Sequence, residues 1–315
     1  KLTQKKIMNI IFMGTPGFAV PSLKALFNSH HKISAVVTVP DKAKGRGQKV
    51  AESEVKKFAV ENFLPVLQPV SLKDPGFAFE LESLRPDLIV VVAFRILPKS
   101  IFKIPKYGSI NLHASLLPKY RGAAPINWAI MNGERETGVT TFFLQEKVDT
   151  GSIIMQEKLD IAYDETAGTL HDRLMLLGAE TLFSTVELID SYDGKPPAHK
   201  QNNGEATGAP KIFKEDCRID FNRSVDEVYD FIRGLSPYPG AYTEYNEKII
   251  KIYGAVKSRW DSLKGPGRFF IKEEKLYVSC LNEFLEITEL QMEGKKRMNS
   301  REFLNGYSAL FKKFK

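Results

Sequence analysis

The 315-residue sequence has little of what several protein classes require. Its two cysteines, Cys217 and Cys280, stand far apart in no CxxC pattern, so neither a disulfide framework nor a cysteine zinc site is indicated. No apolar run approaches the about 20 residues of a membrane span, because Gly14, Pro16 and Gly17 break the one after the charged N-terminus. We therefore expect a cytoplasmic protein with no membrane contact.

Histidine is also scarce, since the chain has five, and only His113 lies in a chemically suggestive setting. We expect no metal site. The hydrophobic fraction of 43% and the charged fraction of 26% are ordinary globular values, which exclude bulk disorder and fibrous classes. The net charge of +7 fits a polyanionic partner and a generically basic surface equally well.

Short apolar runs alternate with helix-compatible stretches through the first two-thirds of the chain. This alternation predicts an α/β fold with a mostly parallel, Rossmann-like sheet and right-handed crossovers. The predicted strands include Ile7–Met13, Ile33–Val39 and Asp87–Phe94, and the predicted helices include Val50–Asn62, Phe77–Leu84 and a long helix through Leu170, Leu174, Leu177 and Leu182.

The sequence texture changes after residues 193–210, a linker-like segment rich in glycine, proline and asparagine. Beyond it, Lys248–Val256, Leu276–Cys280 and Phe284–Leu290 predict half-exposed antiparallel strands, hence a small OB-like β-barrel. Asn299 is placed to cap a final short helix. We predict a catalytic domain over residues 7–192, a linker over 193–210 and a C-terminal domain over 211–315.

The sequence carries no common nucleotide-binding fingerprint. Gly14-Thr-Pro-Gly17 lacks the G-x-G-x-x-G spacing, and no GxxxxGK[ST] occurs. A turn that leads into a helix is the better interpretation of that glycine pair.

The chemistry is predicted around Ile110–Ala114, which has the pattern of a strand. Asn111, His113 and Ser115 are two residues apart and share one face if the strand stays extended. They lie near its carboxyl end, where ligands bind in open α/β sheets. For this trio alone, a hydrogen-bonded core histidine and a structural amide are an equally good explanation.

A second element favours the catalytic interpretation. Glu136–Thr141 begins another strand-like run, which leads to Asp149-Thr-Gly151. An amide, an imidazole and a carboxylate that meet in one crevice form a set for acyl transfer: an oxyanion donor, a base and a group that orients the base and fixes its tautomer.

The ordered motifs Asn-x-His-x-Ser-Leu-Leu-Pro, Thr-Gly-Val-Thr and Asp-Thr-Gly together resemble the folate-dependent formyltransferase family, which includes glycinamide ribonucleotide, sugar-nucleotide and methionyl-tRNA formyltransferases. The resemblance implies 10-formyltetrahydrofolate as co-substrate, no metal, and Asn111, His113 and Asp149 as catalytic residues. It also implies a folate pocket edged by Ser115, Leu116, Leu117, Pro118, Phe94, Ile96 and Leu97. Arg95 departs from the family pattern, since many relatives have a small residue there.

Three features favour the branch of that family that acts on methionyl-tRNA. The chain continues for about a hundred residues past the catalytic domain. Residues 211–221 and 236–240 resemble the entry to that branch's C-terminal tRNA-binding barrel, although 20 Lys+Arg against 16 Asp+Glu leave residues 210–315 with a net charge of only +4. The third feature is a basic loop over residues 41–49, which resembles the loop inserted against the tRNA acceptor stem and offers Arg46, Lys42, Lys44 and Lys49 to tRNA.

The resemblance therefore implies formyl transfer to the α-amino group of initiator methionyl-tRNA, for translation initiation, by a monomer. A sugar-nucleotide N-formyltransferase that uses the same donor is the alternative, although Ala123 stands where those enzymes commonly have arginine. A catalytically silent RNA-binding protein is the rival from another class. It would leave Asn111, His113 and Asp149 without a purpose.

Overall fold

A computed structural model describes residues 7–44, 49–261 and 265–313. The strands, numbered in chain order, are β1 (Asn9–Gly14), β2 (Lys32–Val37), β3 (Lys42–Lys44), β4 (Lys49–Ala51), β5 (Val66–Leu67), β6 (Leu88–Val92), β7 (Ser109–His113), β8 (Arg121–Gly122), β9 (Glu136–Phe143), β10 (Ile153–Asp160), β11 (Gly208–Ala209), β12 (Ala241–Tyr245), β13 (Lys248–Asp261), β14 (Phe269–Lys272), β15 (Lys275–Ser279), β16 (Glu283–Met292), β17 (Met298–Asn299) and β18 (Lys312–Lys313). The helices are α1 (Val20–Phe27), α2 (Glu54–Glu61), α3 (Pro75–Ser83), α4 (Lys99–Phe102), α5 (Pro125–Met131), α6 (Ala167–Ser191), α7 (Val225–Gly234) and α8 (Ser300–Tyr307).

Two compact units divide the chain. The first comprises residues 1–122, 138–159 and 171–208, and the second comprises residues 123–137, 160–170 and 209–315. These units are defined by packing, so the functional limits predicted at residues 192 and 210 stay a prediction.

The first unit is built on a seven-stranded sheet with the order β10-β9-β7-β6-β1-β2-β5. Strands β1, β2, β5, β6 and β7 pair in parallel, whereas β9 pairs antiparallel with β7. All five residues of β6 are buried, which explains the continuous apolar run of Leu88–Val92. The predicted mostly parallel, Rossmann-like sheet is confirmed.

Helix α6 packs closely on the strand that carries His113. A Cβ on Gly178 would lie 2.8 Å from Leu112 Cδ2, so glycine at this position allows the helix to approach β7. No helix within the described ranges combines the length and the apolar character needed to cross a bilayer.

Helix α2 begins later than the predicted Val50. Ser53 is its N-cap and accepts a hydrogen bond from the Lys56 N–H at 3.1 Å, so the helix starts at Glu54. Residues 49–51 instead pair antiparallel with residues 42–44. The flanks of the predicted basic loop are therefore a short hairpin rather than open loop.

The second unit holds the C-terminal sheet, ordered β12-β13-β16-β15-β14-β18 with β17 on β16. Its pairs are antiparallel except for β14 with β18. The ring of Tyr245, at the end of β12, stacks on Phe311, one residue before β18, with the centroids 4.9 Å apart. The two edges of the sheet thus curve toward each other, as a small barrel requires.

The predicted cap of the final helix is confirmed. Asn299 caps α8, because its side chain accepts the Glu302 N–H at 2.8 Å. Cys217 and Cys280 are free and buried. Burial raises the pKa of the Cys280 thiol to about 12, so this sulfur stays protonated and unreactive at neutral pH.

His31 links the start of the sheet to α6 in the first unit. Its Nδ1 accepts the Met8 N–H at 3.3 Å, and its Nε2 donates to Glu187 Oε1 at 3.1 Å. Burial, and then the neighbouring His30, lower the pKa of His31 below its ordinary value of 6.5, against the opposing effect of Glu187 and Asp190. The folded state therefore favours the neutral ring.

We expect the burial of His31 to make the folded protein less stable as the pH is lowered. The stabilising contribution of neutral His31 is complete above its ordinary pKa of 6.5 and is lost as the pH falls toward its lower folded-state pKa, because the unfolded chain then binds more protons. His31→Asn keeps an acceptor near Met8 and should show a smaller drop in melting temperature from about pH 7.5 to about pH 5 than the wild type. His199→Asn, at an exposed histidine, is the control. An equal drop in His31→Asn and the wild type would contradict the assignment.

Candidate functional site

Three parallel strands end at one edge of the first unit's sheet. Strand β1 ends at Gly14, β6 at Val92 and β7 at His113, and the three are neighbours in the sheet. Asn111 and His113 lie two apart in β7, so their side chains share a face. Asn111 is half-buried and stands opposite Val91 and Phe142. The predicted strand and its shared face are thus present for these two residues.

The His113 ring is 7% exposed and held in one orientation. Its Nε2 lies 2.8 Å from the backbone oxygen of Tyr120. A carbonyl oxygen only accepts, so Nε2 carries the proton and donates it. In the neutral ring the lone pair is then on Nδ1.

Asp149 lies in the loop between β9 and β10, close to this Nδ1. Its Oδ2 is 3.9 Å from His113 Nδ1 and accepts the Gly122 N–H at 2.9 Å. The distance to Nδ1 is too long for a hydrogen bond. The expectation that Asp149 fixes the tautomer is therefore wrong, because the Tyr120 carbonyl does so from the other side of the ring.

Backbone geometry sets the position of Asp149. Its φ is +53°, in the left-handed region that non-glycine residues seldom adopt. Two residues later, a Cβ on Gly151 would lie 1.6 Å from the Phe143 backbone oxygen, so only glycine fits there. The glycine of the Asp-Thr-Gly motif thus lets the loop fold back against the end of β9. This fold brings the Asp149 carboxylate close to His113.

The first of the residues predicted to edge the folate pocket lie just after the end of β7. Ser115 lies outside the strand and is fully buried, and its hydroxyl donates to the Lys119 oxygen at 2.7 Å. The prediction that Ser115 shares the strand face with Asn111 is therefore wrong, because the chain turns after His113. The Ser115 side chain shapes this turn.

Two residues to which the sequence analysis gave no individual role hold the same turn. Thr140 Oγ1 donates to the Ser115 oxygen at 2.6 Å and accepts the Leu117 N–H at 3.1 Å. Gln156 Nε2 donates to the Leu117 oxygen at 2.8 Å and to Thr140 Oγ1 at 2.9 Å. Thr140 is the last residue of the Thr-Gly-Val-Thr motif. Its hydrogen bonds to Ser115 and Leu117 explain why the motif ends in a threonine. Leu117 is buried against Phe142, whereas Leu116 and Pro118 are half-buried.

The stretch Phe94–Leu97 follows β6 at the same sheet edge. Phe94 is half-buried, Ile96 is 74% exposed and Leu97 is buried. Arg95, the departure from the family pattern, donates to the oxygens of Val70 at 3.0 Å and Pro69 at 2.8 Å. Burial lowers the pKa of its guanidinium. The Arg95 side chain thus ties this stretch to the segment after β5.

The structure describes only part of the predicted tRNA-binding residues. Lys42, Lys44 and Lys49 lie in the β3–β4 hairpin, and only their backbone is described. Arg46 lies outside the described residues.

A cluster of possible metal ligands lies away from this edge. His30, His31 and Asp190 each offer a ligand atom within 4.8 Å of the others, and this is the one such group among the described residues. No sequence pattern predicts this cluster, because about 160 residues separate the histidines from the aspartate. Both ring nitrogens of His31 are already hydrogen-bonded, to Met8 and Glu187, so the cluster is satisfied at that ring without an ion.

The second unit contains a cavity of about 640 Å³ with a basic and aromatic lining. Lys211, Lys214 and Lys251 contribute positive charge, and Phe213 and Tyr238 contribute rings that are 56% and 83% exposed. Lysines bind phosphate, and exposed rings offer faces on which bases stack.

Comparison with known proteins identifies relatives of both parts of the chain. Residues 5–186 match the model of the formyl transferase family, and residues 211–308 match that of the formyl transferase C-terminal domain. The methionyl-tRNA formyltransferase of Clostridioides difficile is 47% identical over 301 residues, which cover 95% of this chain and 97% of that protein. The methionyl-tRNA formyltransferase of Parabacteroides distasonis is 48% identical over 320 residues, which cover 98% of each chain.

Solved structures share the fold at lower identity. An N-formyltransferase from Helicobacter canadensis, solved with folinic acid and dTDP-3-aminofucose, has a TM-score of 0.66 at 22% identity and covers 93% of this chain and 100% of its own. The two family matches and the near-full-length relatives go further than this shared fold. The chain belongs to the formyl transferase family and, within it, to the methionyl-tRNA formyltransferases.

Proposed function

We propose that this protein transfers a formyl group from 10-formyltetrahydrofolate to the α-amino group of initiator methionyl-tRNA, for translation initiation. Membership of the methionyl-tRNA formyltransferases supports the reaction. The observation that carries the catalytic assignment is the pair formed by His113 Nδ1, a free acceptor in the neutral ring, and Asp149 Oδ2, 3.9 Å away at the ligand-binding edge of the sheet.

The spacing of this pair suits an amine nucleophile. Two acceptors 3.9 Å apart cannot bond to each other, but an N–H donor between them can reach both. An α-amine has a pKa of about 7.7–8.0, so a useful fraction is neutral near pH 7. Asp149 holds the amine, and His113 Nδ1 accepts the proton that the nitrogen loses as it attacks.

The reaction balances with these groups alone. The amine nitrogen bonds to the formyl carbon, and the carbonyl π electrons move to the oxygen, where the Asn111 carboxamide donates to the oxyanion. The oxyanion then collapses, the bond from carbon to the folate nitrogen breaks, and the His113 imidazolium returns its proton to that nitrogen. No covalent enzyme intermediate is required.

The folate carrier is assigned to the edge beside this pair. Leu116 and Pro118, half-buried on the turn after β7, and Phe94 and Ile96 after β6 offer apolar surface to a pterin ring. Ser115, Leu117 and Leu97 are buried in the same two stretches. Backbone groups in such a turn can bond to the polar edge of the ring.

The tRNA is assigned to the hairpin loop and to the C-terminal domain, with domain limits at residues 192 and 210. Arg46, Lys42, Lys44 and Lys49 would contact the acceptor stem. The basic and aromatic cavity of the second unit supports an RNA-binding role for residues 211–315. We assign this activity to a cytoplasmic monomer.

A formyl-transfer assay tests the function directly. With radiolabelled 10-formyltetrahydrofolate, label should appear in initiator methionyl-tRNA and not in the same tRNA without methionine. Amino-sugar nucleotides serve as the competing acceptors. Label in the sugar nucleotides and none in the tRNA would move the protein to the alternative, a sugar-nucleotide N-formyltransferase.

A further inference from the structure

A segment in the predicted linker is hydrogen-bonded to the loop that carries Asp149. Gln201 Nε2 donates to the backbone oxygens of Asp149 at 3.0 Å and Gly151 at 2.8 Å. The Gln201 amide thus holds the carbonyls on either side of Thr150. All of these residues belong to the first unit.

Gln201 is itself fixed by a charged partner. Its Oε1 accepts from Arg121 Nε at 3.1 Å and Nη2 at 2.6 Å, and Arg121 Nη2 also donates to Asn203 Oδ1 at 2.9 Å. Charge-assisted hydrogen bonds of this kind are stronger than neutral ones. The Gln201 side chain therefore has one orientation, in which its N–H groups face the Asp149 loop.

The same segment also holds the turn that orients His113. Thr207 Oγ1 accepts the Tyr120 N–H at 2.9 Å, and the Thr207 backbone oxygen accepts the Arg121 N–H at 2.9 Å. The stretch over residues 120–122, which ends in β8, supplies the Tyr120 oxygen to His113 and the Gly122 N–H to Asp149. One peripheral segment thus supports both members of the catalytic pair.

We propose that Gln201 and Thr207 are positioning residues that set the separation of His113 and Asp149 from outside the catalytic domain's sheet. The proposal rests on the formyl-transfer function proposed above. Neither side chain touches the reacting atoms in this assignment.

Strain at Asp149 explains why such support is needed. A left-handed φ of +53° costs free energy for a non-glycine residue, although aspartate tolerates it better than most, so contacts from neighbours help to hold the loop. A displacement of about 1 Å in a catalytic group costs on the order of 10²-fold in rate. Two hydrogen bonds to the carbonyls around Thr150 oppose such a displacement.

The first test separates positioning through Asp149 from general damage. Gln201→Ala should lower the single-turnover rate constant about 10-fold to 10²-fold, with KM for both substrates changed less than about twofold. Gln201→Glu keeps the acceptor for Arg121 but faces the two carbonyls with an oxygen, so its loss should be at least as large. Asn202→Ala is the matched control and should keep the wild-type rate, because the partners of its side chain within the described part of the chain are Gly204 and Glu205.

A double-mutant cycle gives the decisive readout. In an Asp149→Asn background, measured with excess enzyme and long reaction times, Gln201→Ala should have less than about a twofold further effect, because the group that it positions has lost its charge. A loss in the Asp149→Asn background as large as in the wild type would overturn the proposal. So would a wild-type rate in Gln201→Ala.

Thr207 provides an independent arm. Thr207→Val removes the acceptor for the Tyr120 N–H and should lower the rate about 10-fold, whereas Thr207→Ser keeps a hydroxyl and should restore it. Equal rates in the two variants would remove Thr207 from the proposal. If wild-type protein fails to formylate methionyl-tRNA, the proposed function itself is wrong, which is a different result from unaltered variants of an active enzyme.

Discussion

Replacement of His113 by alanine is expected to lower the single-turnover rate of formyl transfer by about 10²–10⁴. The reason lies in the ring orientation. Nε2 carries the ring proton and donates a hydrogen bond to the Tyr120 oxygen, so Nδ1 is the atom that can accept a proton from the attacking amine. Without it, the tetrahedral intermediate must form with its nitrogen still protonated or lose the proton to water.

The matched variant is His113→Gln. Glutamine can donate an N–H toward the Tyr120 oxygen but cannot accept a proton at the position of Nδ1. We expect it to keep the melting temperature and the affinity for both substrates while its rate falls as far as in His113→Ala. If His113→Gln transfers formyl at the wild-type rate, His113 is a structural residue and the base lies elsewhere.

Replacement of Asn111 by alanine is expected to lower the rate by about 10²–10³, the usual cost of one oxyanion donor. Asn111 shares the face of β7 with His113, so its carboxamide can reach the formyl oxygen while Nδ1 takes the amine proton. Asn111→Asp has nearly the same shape but places a carboxylate against a developing negative charge. Its rate should therefore fall below that of Asn111→Ala.

The distinction between catalysis and binding decides the role of Asn111. The donor strengthens its bond only as charge develops, so kcat and kcat/KM should fall together while KM changes little. Steady-state kinetics with each substrate varied in turn measures this. A rise in KM for the folate at an unchanged kcat would show that Asn111 binds the ground state and the transition state equally well and is not an oxyanion donor.

Local sequence patterns are enough to predict the secondary-structure elements and the chemical types of the residues in the site. Continuous burial of Leu88–Val92, the two-residue spacing of Asn111 and His113, and the cap at Asn299 are local properties, and each is readable from a few neighbouring residues. The start of α2 could also have been read, because Ser53 followed by Glu54 is a common N-cap signal.

Contacts between segments that are distant along the chain depend on the folded arrangement of the strands and loops. The tautomer of His113 depends on a hydrogen bond to the Tyr120 carbonyl, which lies after the turn that follows β7. The backbone oxygen of Asp149 is hydrogen-bonded to Gln201, which is 52 residues further along the chain. The contact of Thr140 with Leu117 and the cluster of His30, His31 and Asp190 are further contacts between distant segments. A residue type and its spacing specify what a side chain can donate or accept. Which group lies within 3 Å of it depends on how the strands order in the sheet, and no local pattern encodes that order.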